Sequence, residues 1–442
     1  MQHITDLVGE MIESAHTFAP PVRSLLDVDF YKFTMGQLIH KKYGDVDVEF
    51  ELIVRSRDVD LAANISEQEL ADSLDYVRGL SFIKENGVST DLSWLRGTDL
   101  YGLNMFGEPY LQFLRGFKLP PYNLEYHVDG EKMRIKLSFP GAWAKSSHWE
   151  TIALAIVSEL YYRSIMRKMK PVELRAAYTR AADTLYRKLE MIAQHPKVTF
   201  ADFGQRRRHN FLWQQFVIGE CAQMLPKQFT GTSNTWMAFK HDQVPIGTNA
   251  HELPMVLTAL AETDEAKRQA QYDVIDDWEE LYGQGLRIFL PDTYGTAQFL
   301  KNAPEKLVHW RGIRQDSGDP LMQANRYIDW LYKHNADPKE KVVIFSDGLD
   351  VDEMIRLQKN LDGQIKTAFG WGTLLSNDFR GCAPGDVLKP FSMVCKVTHV
   401  NGRSAVKLSD NIEKATGPVE EEIERYKKIF GEEGRQDIAV VV

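Results

Sequence analysis

The sequence predicts an α/β protein in which an irregular, incomplete α/β barrel is inserted between the two halves of a discontinuous α+β sandwich domain. Three observations predict it. Strands of period two stand near both ends, two long segments of helical period occupy the middle, and after them a rhythm of short strand, polar or glycine-bearing loop and helix repeats. On this reading residues 1–145 together with 385–442 form the sandwich, and 146–384 form the barrel.

Taken in order, Val46–Leu52 alternates apolar and acidic residues, as a half-buried strand does. Leu124–Phe139 is a strand pair around Asp129-Gly130, and Ser392–Leu408 repeats the pattern around Asn401-Gly402, the strongest short-range hairpin signal. Trp149–Met169 and Val172–Gln194 carry helical period and are separated by Pro171. The barrel strands are short apolar runs that stop before an acid or a glycine: Val198–Phe200 before Asp202, Leu286–Leu290 before Asp292, Gly312–Arg314 before Asp316, Val342–Phe345 before Asp347 and Ile365–Ala368 before Gly370. Helical stretches at Met322–Lys333 and Val351–Lys359 lie between some of them. There is no internal repeat and no low-complexity tract.

At 442 residues the chain can bury a large core. Its net charge of −9 argues against nucleic acid as a partner, and an anionic substrate needs a local cationic cluster acting against the global field. Three cysteines without paired spacing, Cys221, Cys382 and Cys395, argue against a disulfide framework and fit a reducing cytoplasm. The start, Met-Gln-His-Ile-Thr-Asp, lacks the basic and apolar runs of a secretory signal, and the most apolar stretch, Ile152–Val157, is far shorter than the roughly 18 residues of a membrane span.

The chemistry-bearing residues gather around His251, in the glycine-led loop Gly247-Thr-Asn-Ala-His-Glu. A histidine there can be a general base, a metal ligand, a phosphate acceptor or a structural hydrogen-bonder. A His-Glu-x-x-His zinc site is excluded, because Leu253, Pro254 and Met255 follow Glu252. Asp202, Asp292, Asp316 and Asp347 stand at strand ends and would face one opening, although aspartate after a strand is also a good helix cap. Asp202-Phe-Gly-Gln-Arg206-Arg-Arg presents three arginines, Arg314 stands beside Asp316, and Phe369-Gly370-Trp-Gly372-Thr373 supplies amides that can surround a phosphate. Arginines suit pyrophosphate or carboxylate, acids suit ribose hydroxyls or magnesium, and glycines suit a monophosphate. One ligand has all three features: 5-phosphoribosyl 1-pyrophosphate.

With these motifs Asp29-Phe-Tyr31-Lys32, Gly231-Thr-Ser233-Asn234, Asp292-Thr-Tyr294, Ile313-Arg-x-Asp-Ser-Gly318, Ser346-Asp-Gly-Leu349 and Val406-Lys-Leu-Ser-Asp-Asn-x-Glu-Lys414, the chain resembles nicotinate phosphoribosyltransferases in order from about Leu26 to Gly417. The resemblance implies a type II phosphoribosyltransferase fold and conversion of nicotinate and 5-phosphoribosyl 1-pyrophosphate to nicotinate mononucleotide and pyrophosphate, in NAD salvage. It also implies Mg2+ and ATP as co-substrate, coupled through a phosphohistidine.

Residue by residue, Phe203 resembles the ring stacking on one face of nicotinate, and Tyr31 the ring that a neighbouring subunit of a homodimer supplies to the other. Arg206 and Arg314, with Ser233 nearby, take the carboxylate; the related nicotinamide enzymes carry an aspartate at the position of Ser233. Asp316 and Asp347 resemble the residues that hold ribose hydroxyls and the magnesium, and Gly370, Gly372 and Thr373 belong to the substrate-binding turn with its 5-phosphate cradle. His251 resembles the histidine that accepts the γ-phosphate of ATP, so the catalytic set is His251, Arg314 and Asp316. Arg207 and Arg208 read as surface charge, and Phe203 without the resemblance reads as a core residue. The alternatives are a nicotinamide phosphoribosyltransferase, a metal-dependent barrel hydrolase built on Asp202, Asp292, Asp316 and His251, and a non-catalytic nucleotide sensor.

Overall fold

The computed structural model describes residues 4–83, 89–98, 104–130 and 132–438. Two sheets organise the chain. One is antiparallel and five-stranded, in the order β11-β10-β1-β3-β2, with β1 Asp47–Val54, β2 Asn123–Asp129, β3 Lys132–Ala142, β10 Met393–Val400 and β11 Arg403–Ser404. Its centre joins chain segments far apart in sequence: β1 pairs with β10 from Val48 opposite Val400 to Val54 opposite Met393, with a bulge at Glu49/Phe50. The alternation in β1 buries Val48 and Phe50, and Phe139 on β3 stacks on Trp149 at 4.8 Å, which docks the sheet on the helix Trp149–Lys168. Asn401 and Gly402 both have positive φ, 48° and 76°, the requirement of a two-residue hairpin turn.

The second sheet is parallel, in the order β5-β4-β9-β8-β7-β6, with β4 Phe200–Asp202, β5 Phe229–Thr232, β6 Ile288–Phe289, β7 Gly312–Gln315, β8 Val342–Phe345 and β9 Lys366–Trp371. Strands β5 and β6 are its edges, so the barrel is incomplete, as the sequence predicts. Glycine makes one pairing possible: a β-carbon on Gly312 would lie 1.9 Å from the carbonyl oxygen of Val342 on β8.

Several boundaries differ from expectation. Asp202 lies inside β4 and not after it. The run Leu286–Leu290 keeps only Ile288–Phe289 as strand, because Gln284–Leu286 tightens into a 3-10 turn. The second arm of the C-terminal hairpin ends at Ser404, and Val406 and Leu408 leave the sheet to pack with Tyr294, Tyr426 and Phe430. Pro171 does not merely separate two helices. It opens the second, Pro171–Ala193, where its missing N–H costs nothing and Glu173 accepts from the Lys170 backbone at 2.9 Å. Among the described residues no helix is long and apolar enough to cross a membrane.

Candidate active site

The C-terminal ends of β4, β7, β8 and β9 open on one cleft, lined among others by Tyr31, Phe203, Arg206, Ser233, Arg314, Asp316, Asp347, Gly370, Gly372 and Thr373. Apart from His251 and the two acids Asp202 and Asp292, every residue the sequence proposes for the site meets there.

Tyr31 arrives from the N-terminal segment of the same chain. Asp27 anchors that segment by taking two 2.8 Å bonds from the guanidinium of Arg208, with both side chains fully buried. Phe30 N then donates to Ser233 O at 2.6 Å, and Asp29 bridges to Asn234. Gly247 allows the loop before His251 to close over this point, since a β-carbon there would lie 2.7 Å from Tyr31 N. Tyr31 therefore shares a cleft with Phe203 of its own chain. Phe203 follows β4, its amide bonded to Trp371 O at 2.9 Å. Its ring lies on Gly370, where a β-carbon would come within 2.3 Å of two ring atoms.

The arginines divide in a way the sequence does not show. Arg206 lines the cleft with Asp29 at 3.6 Å and Glu150 at 3.9 Å. Burial alone would lower its pKa, but Tyr31, Asp29 and Glu150 outweigh that and raise it. Arg207 also lines the cleft, its pKa lowered to about 10 by burial and by Arg206. Arg208 is a core residue. Neither is surface charge, because the turn Gln205–Arg207 aims consecutive side chains inward and not along a solvated helix face. Arg314 donates to Asn249 O at 3.1 Å, which places it beside the His251 loop.

The four acids do not share one role. Asp316 and Asp347 line the cleft. Asp202 does not face it: fully buried, it accepts from Thr232 Oγ1, Gly204 N and Gln214 Nε2 at 2.7–2.9 Å, and burial pushes its pKa up to about 6. Asp292 is buried too, accepting from Ser317 Oγ at 2.6 Å with Lys407 at 3.8 Å. These two are corrections to the expectation of four acids around one opening. An acid at a strand end can be consumed by its neighbours' donors, which pattern alone does not reveal.

His251 is 3% exposed and lies under the cleft floor, just before the helix Glu252–Leu260. Nδ1 meets Thr293 Oγ1 at 2.9 Å and Nε2 meets Asp316 Oδ2 at 3.1 Å, with Asp292 Oδ1 at 3.6 Å. Burial lowers its pKa to about 4, helped by Lys407 and opposed by Asp292 and Asp316. Burial alone would raise the pKa of Asp316, but the His251 bond, Arg314 and Lys407 hold it well below the usual carboxylate range. An ionised carboxylate only accepts, so the neutral ring carries its proton on Nε2 and Nδ1 accepts from Thr293.

Further groups complete the site. Ser233 Oγ donates to Asp29 Oδ1 at 2.5 Å, leaving Asp29 Oδ2 buried with Arg206 as its nearest cation. Burial raises the pKa of Asp29 against the pull of Arg206 and Ser233. Lys414 pairs with Asp347 and Arg55 Nη2 donates to Thr416 Oγ1 at 3.2 Å, so the acidic chain surrounds this cleft with cations. Lys407 and Lys414 stand in a motif whose lysines carried no proposed role, and Asp29 and Ser346 in motifs read only for their neighbours.

A model of the nicotinate phosphoribosyltransferase (NAPRTase) family matches residues 198–434, and one of its N-terminal domain matches 26–158. A nicotinate phosphoribosyltransferase structure from Porphyromonas gingivalis is 30% identical, with a TM-score of 0.81 over 93% of this chain and 100% of that one. One from Vibrio cholerae is 29% identical, with a TM-score of 0.80 over 94% and 95%. A putative nicotinate phosphoribosyltransferase from Saccharomyces cerevisiae is 25% identical, with a TM-score of 0.81 over 94% and 99%. The chain belongs to the nicotinate phosphoribosyltransferase family.

Proposed function

We propose that this chain transfers the 5-phosphoribosyl group of 5-phosphoribosyl 1-pyrophosphate to nicotinate, couples the transfer to ATP through His251 and uses magnesium. The observation that carries this reading is the meeting of two aromatic rings, Tyr31 and Phe203, with Arg206, Arg314, Asp316 and Asp347 in one cleft. The rings suit the faces of a pyridine and the arginines suit its carboxylate.

In the transfer, the bond from ribose C1 to pyrophosphate breaks with its electron pair leaving on oxygen, and the ring nitrogen of nicotinate supplies the pair for the new C1–N bond. That nitrogen carries no proton, so no protein base is required. Catalysis is positioning and charge stabilisation. Asp316 and Asp347 orient ribose hydroxyls, Gly372 and Thr373 receive the 5-phosphate, and Arg207, Lys407 and Lys414 supply positive charge to the leaving group.

Magnesium fits the two carboxylates. The pKa of Asp347 is raised by burial and also by Asp316, a repulsion that a divalent cation relieves, although Lys414 already offsets part of it. Bound there with pyrophosphate, the ion would neutralise leaving-group charge.

For His251 to accept the γ-phosphate of ATP, Nε2, the nitrogen facing the cleft residue Asp316, must lose that partner. The ring proton then moves to Nδ1 and is donated to Thr293, and the Nε2 lone pair forms the P–N bond as ADP leaves with the P–O pair. The modified ring carries negative charge next to Asp316, which reorders the cleft around substrate. This energy coupling makes the enzyme a ligase as well as a glycosyltransferase. Three free, buried cysteines support a cytoplasmic location.

The deciding experiment is turnover of nicotinate with and without ATP, counting ADP and nicotinate mononucleotide together. Formation of both in a fixed ratio is the expected result, and nicotinate mononucleotide formation indifferent to ATP removes the coupling.

A further inference from the structure

Behind the wall that carries Tyr31 and Arg206 lies a buried charge network outside the cleft itself. Its centre is Glu150, in the first turn of the helix Trp149–Lys168 and 3% exposed. Glu150 accepts from Tyr31 Oη at 3.0 Å and from Lys396 Nζ at 3.1 Å, faces Lys32 Nζ at 2.7 Å and stands 3.9 Å from Arg206 Nη1. Lys32 is fully buried and passes the connection on to Glu252 at 2.6 Å, with Ser147 at 3.1 Å. So many charges taken from water are costly unless each is paired.

The geometry points to a positioning role: we propose that Glu150, held by Lys32 and Lys396, fixes the phenol of Tyr31 and the guanidinium of Arg206 in the orientation that receives the aromatic carboxylate substrate. A phenol has one proton to donate, and Tyr31 gives it to Glu150, which anchors the phenol oxygen and with it the place of the ring at the cleft. Among the described residues Arg206 makes no bidentate ion pair. It is drawn toward Glu150 and Asp29 at 3.9 and 3.6 Å, distances that leave its donors available to a ligand. Glu150 touches no substrate and acts through these two side chains. The inference rests on the nicotinate reading given under Proposed function.

The test is Glu150→Gln, which keeps the shape and one acceptor but removes the charge. KM for nicotinate rises about five- to twentyfold, as for loss of charge-assisted contacts in the ground and transition states alike, while kcat and KM for 5-phosphoribosyl 1-pyrophosphate stay within about twofold. In a Tyr31→Phe background the same change has a smaller effect, because one of its two routes is already gone. Calorimetric nicotinate affinity gives the readout without turnover. Should Glu150→Gln fail to fold, Tyr31→Phe alone decides: it removes the donated proton and raises KM for nicotinate several-fold. Unchanged nicotinate affinity in a folded variant overturns the proposal, and so does a parallel rise of both KM values, which marks a merely structural role. A wild-type chain that binds and turns over no nicotinate overturns the parent reading instead.

Discussion

His251 and Asp316 are joined at 3.1 Å from Nε2 to Oδ2, and Thr293 closes the other side of the ring, so neither imidazole nitrogen is free. The histidine is not a loose loop residue, and its removal strands the buried Thr293 hydroxyl as a donor and the Asp316 carboxylate as an acceptor. His251→Gln is expected to lose the acid-labile, base-stable label from γ-labelled ATP, to keep slow ATP-independent transfer, and to show less than about twofold ATP effect on substrate KM. Its stability falls by about 1–3 kcal/mol, the cost of an unsatisfied buried polar group. Phosphoenzyme labelling, steady-state kinetics and denaturant unfolding check the three parts, and label persisting in the variant refutes the assignment.

Tyr31 and Phe203 belong to one cleft of one chain. Mixing inactive Tyr31→Ala with inactive Phe203→Ala therefore restores no activity, even under conditions where differently tagged copies are shown to exchange. Recovery to an appreciable fraction of wild type would show rings contributed by two chains.

Gly370→Ala places a methyl group 2.3 Å from the Phe203 ring, which must swing into the cleft. Because the glycine lies on β9 next to β4, the backbone cannot give way easily. We expect kcat/KM for nicotinate to fall at least tenfold, about 1.4 kcal/mol in transition-state stabilisation, with KM carrying most of the loss. A variant with wild-type KM would mean that the ring has other room.

The base preference follows from charge. Arg206 and Arg314 offer donors to a carboxylate, so kcat/KM for nicotinate should exceed that for nicotinamide at least tenfold. Asp29 complicates this, since a buried carboxylate beside Ser233 is also a ready acceptor for an amide. Arg206→Ala separates the two: it should lower the nicotinate value by a larger factor than the nicotinamide value, and equal losses would leave Arg206 without a role in selectivity.

Three buried histidines make the fold acid-sensitive. Burial lowers His251 to about 4, and His148 and His209 to about 3, from the ordinary 6.5. Between these values the unfolded chain binds more protons than the folded one, so stability rises with pH there and is lost as pH falls below 6.5. Each group removes on the order of 3 kcal/mol by about pH 4. His148 packs against Phe33 and Phe117 with neither nitrogen bonded, so His148→Leu should flatten part of the pH dependence of Tm. An unaltered profile would exclude His148 as a contributor.

The fold was legible wherever pattern and environment agree: the alternation of β1, the Asn401-Gly402 turn and the strands ending before Asp316 and Asp347 all lie as the sequence predicts. The site was legible as a set of motifs but not as a division of labour. Asp202 and Asp316 look alike in sequence, yet one is consumed by Thr232, Gln214 and Gly204 while the other faces the cleft. Arg206, Arg207 and Arg208 are consecutive, and Asp27 and Pro21, both distant in sequence, hold Arg208 in the core. Tyr31 reaches the cleft of its own chain through the contacts of Phe30 and Asp29 with residues 233–234, about 200 positions away in sequence. Such assignments depend on long-range contacts that local pattern does not encode.

The pairing of β1 with β10 has a consequence for how the protein is made. Ribosomes deliver residues 47–54 some 340 positions before 393–400, so for most of translation β1 can have β3 on one side and a bare row of amides and carbonyls on the other. During that interval the nascent chain exposes the kind of edge that recruits a second strand, and neighbouring polysome chains offer identical ones. Messages interrupted before β10 should consequently yield insoluble, chaperone-bound fragments, whereas release of the finished strand caps the sheet and brings Lys396 to Glu150 in the same event.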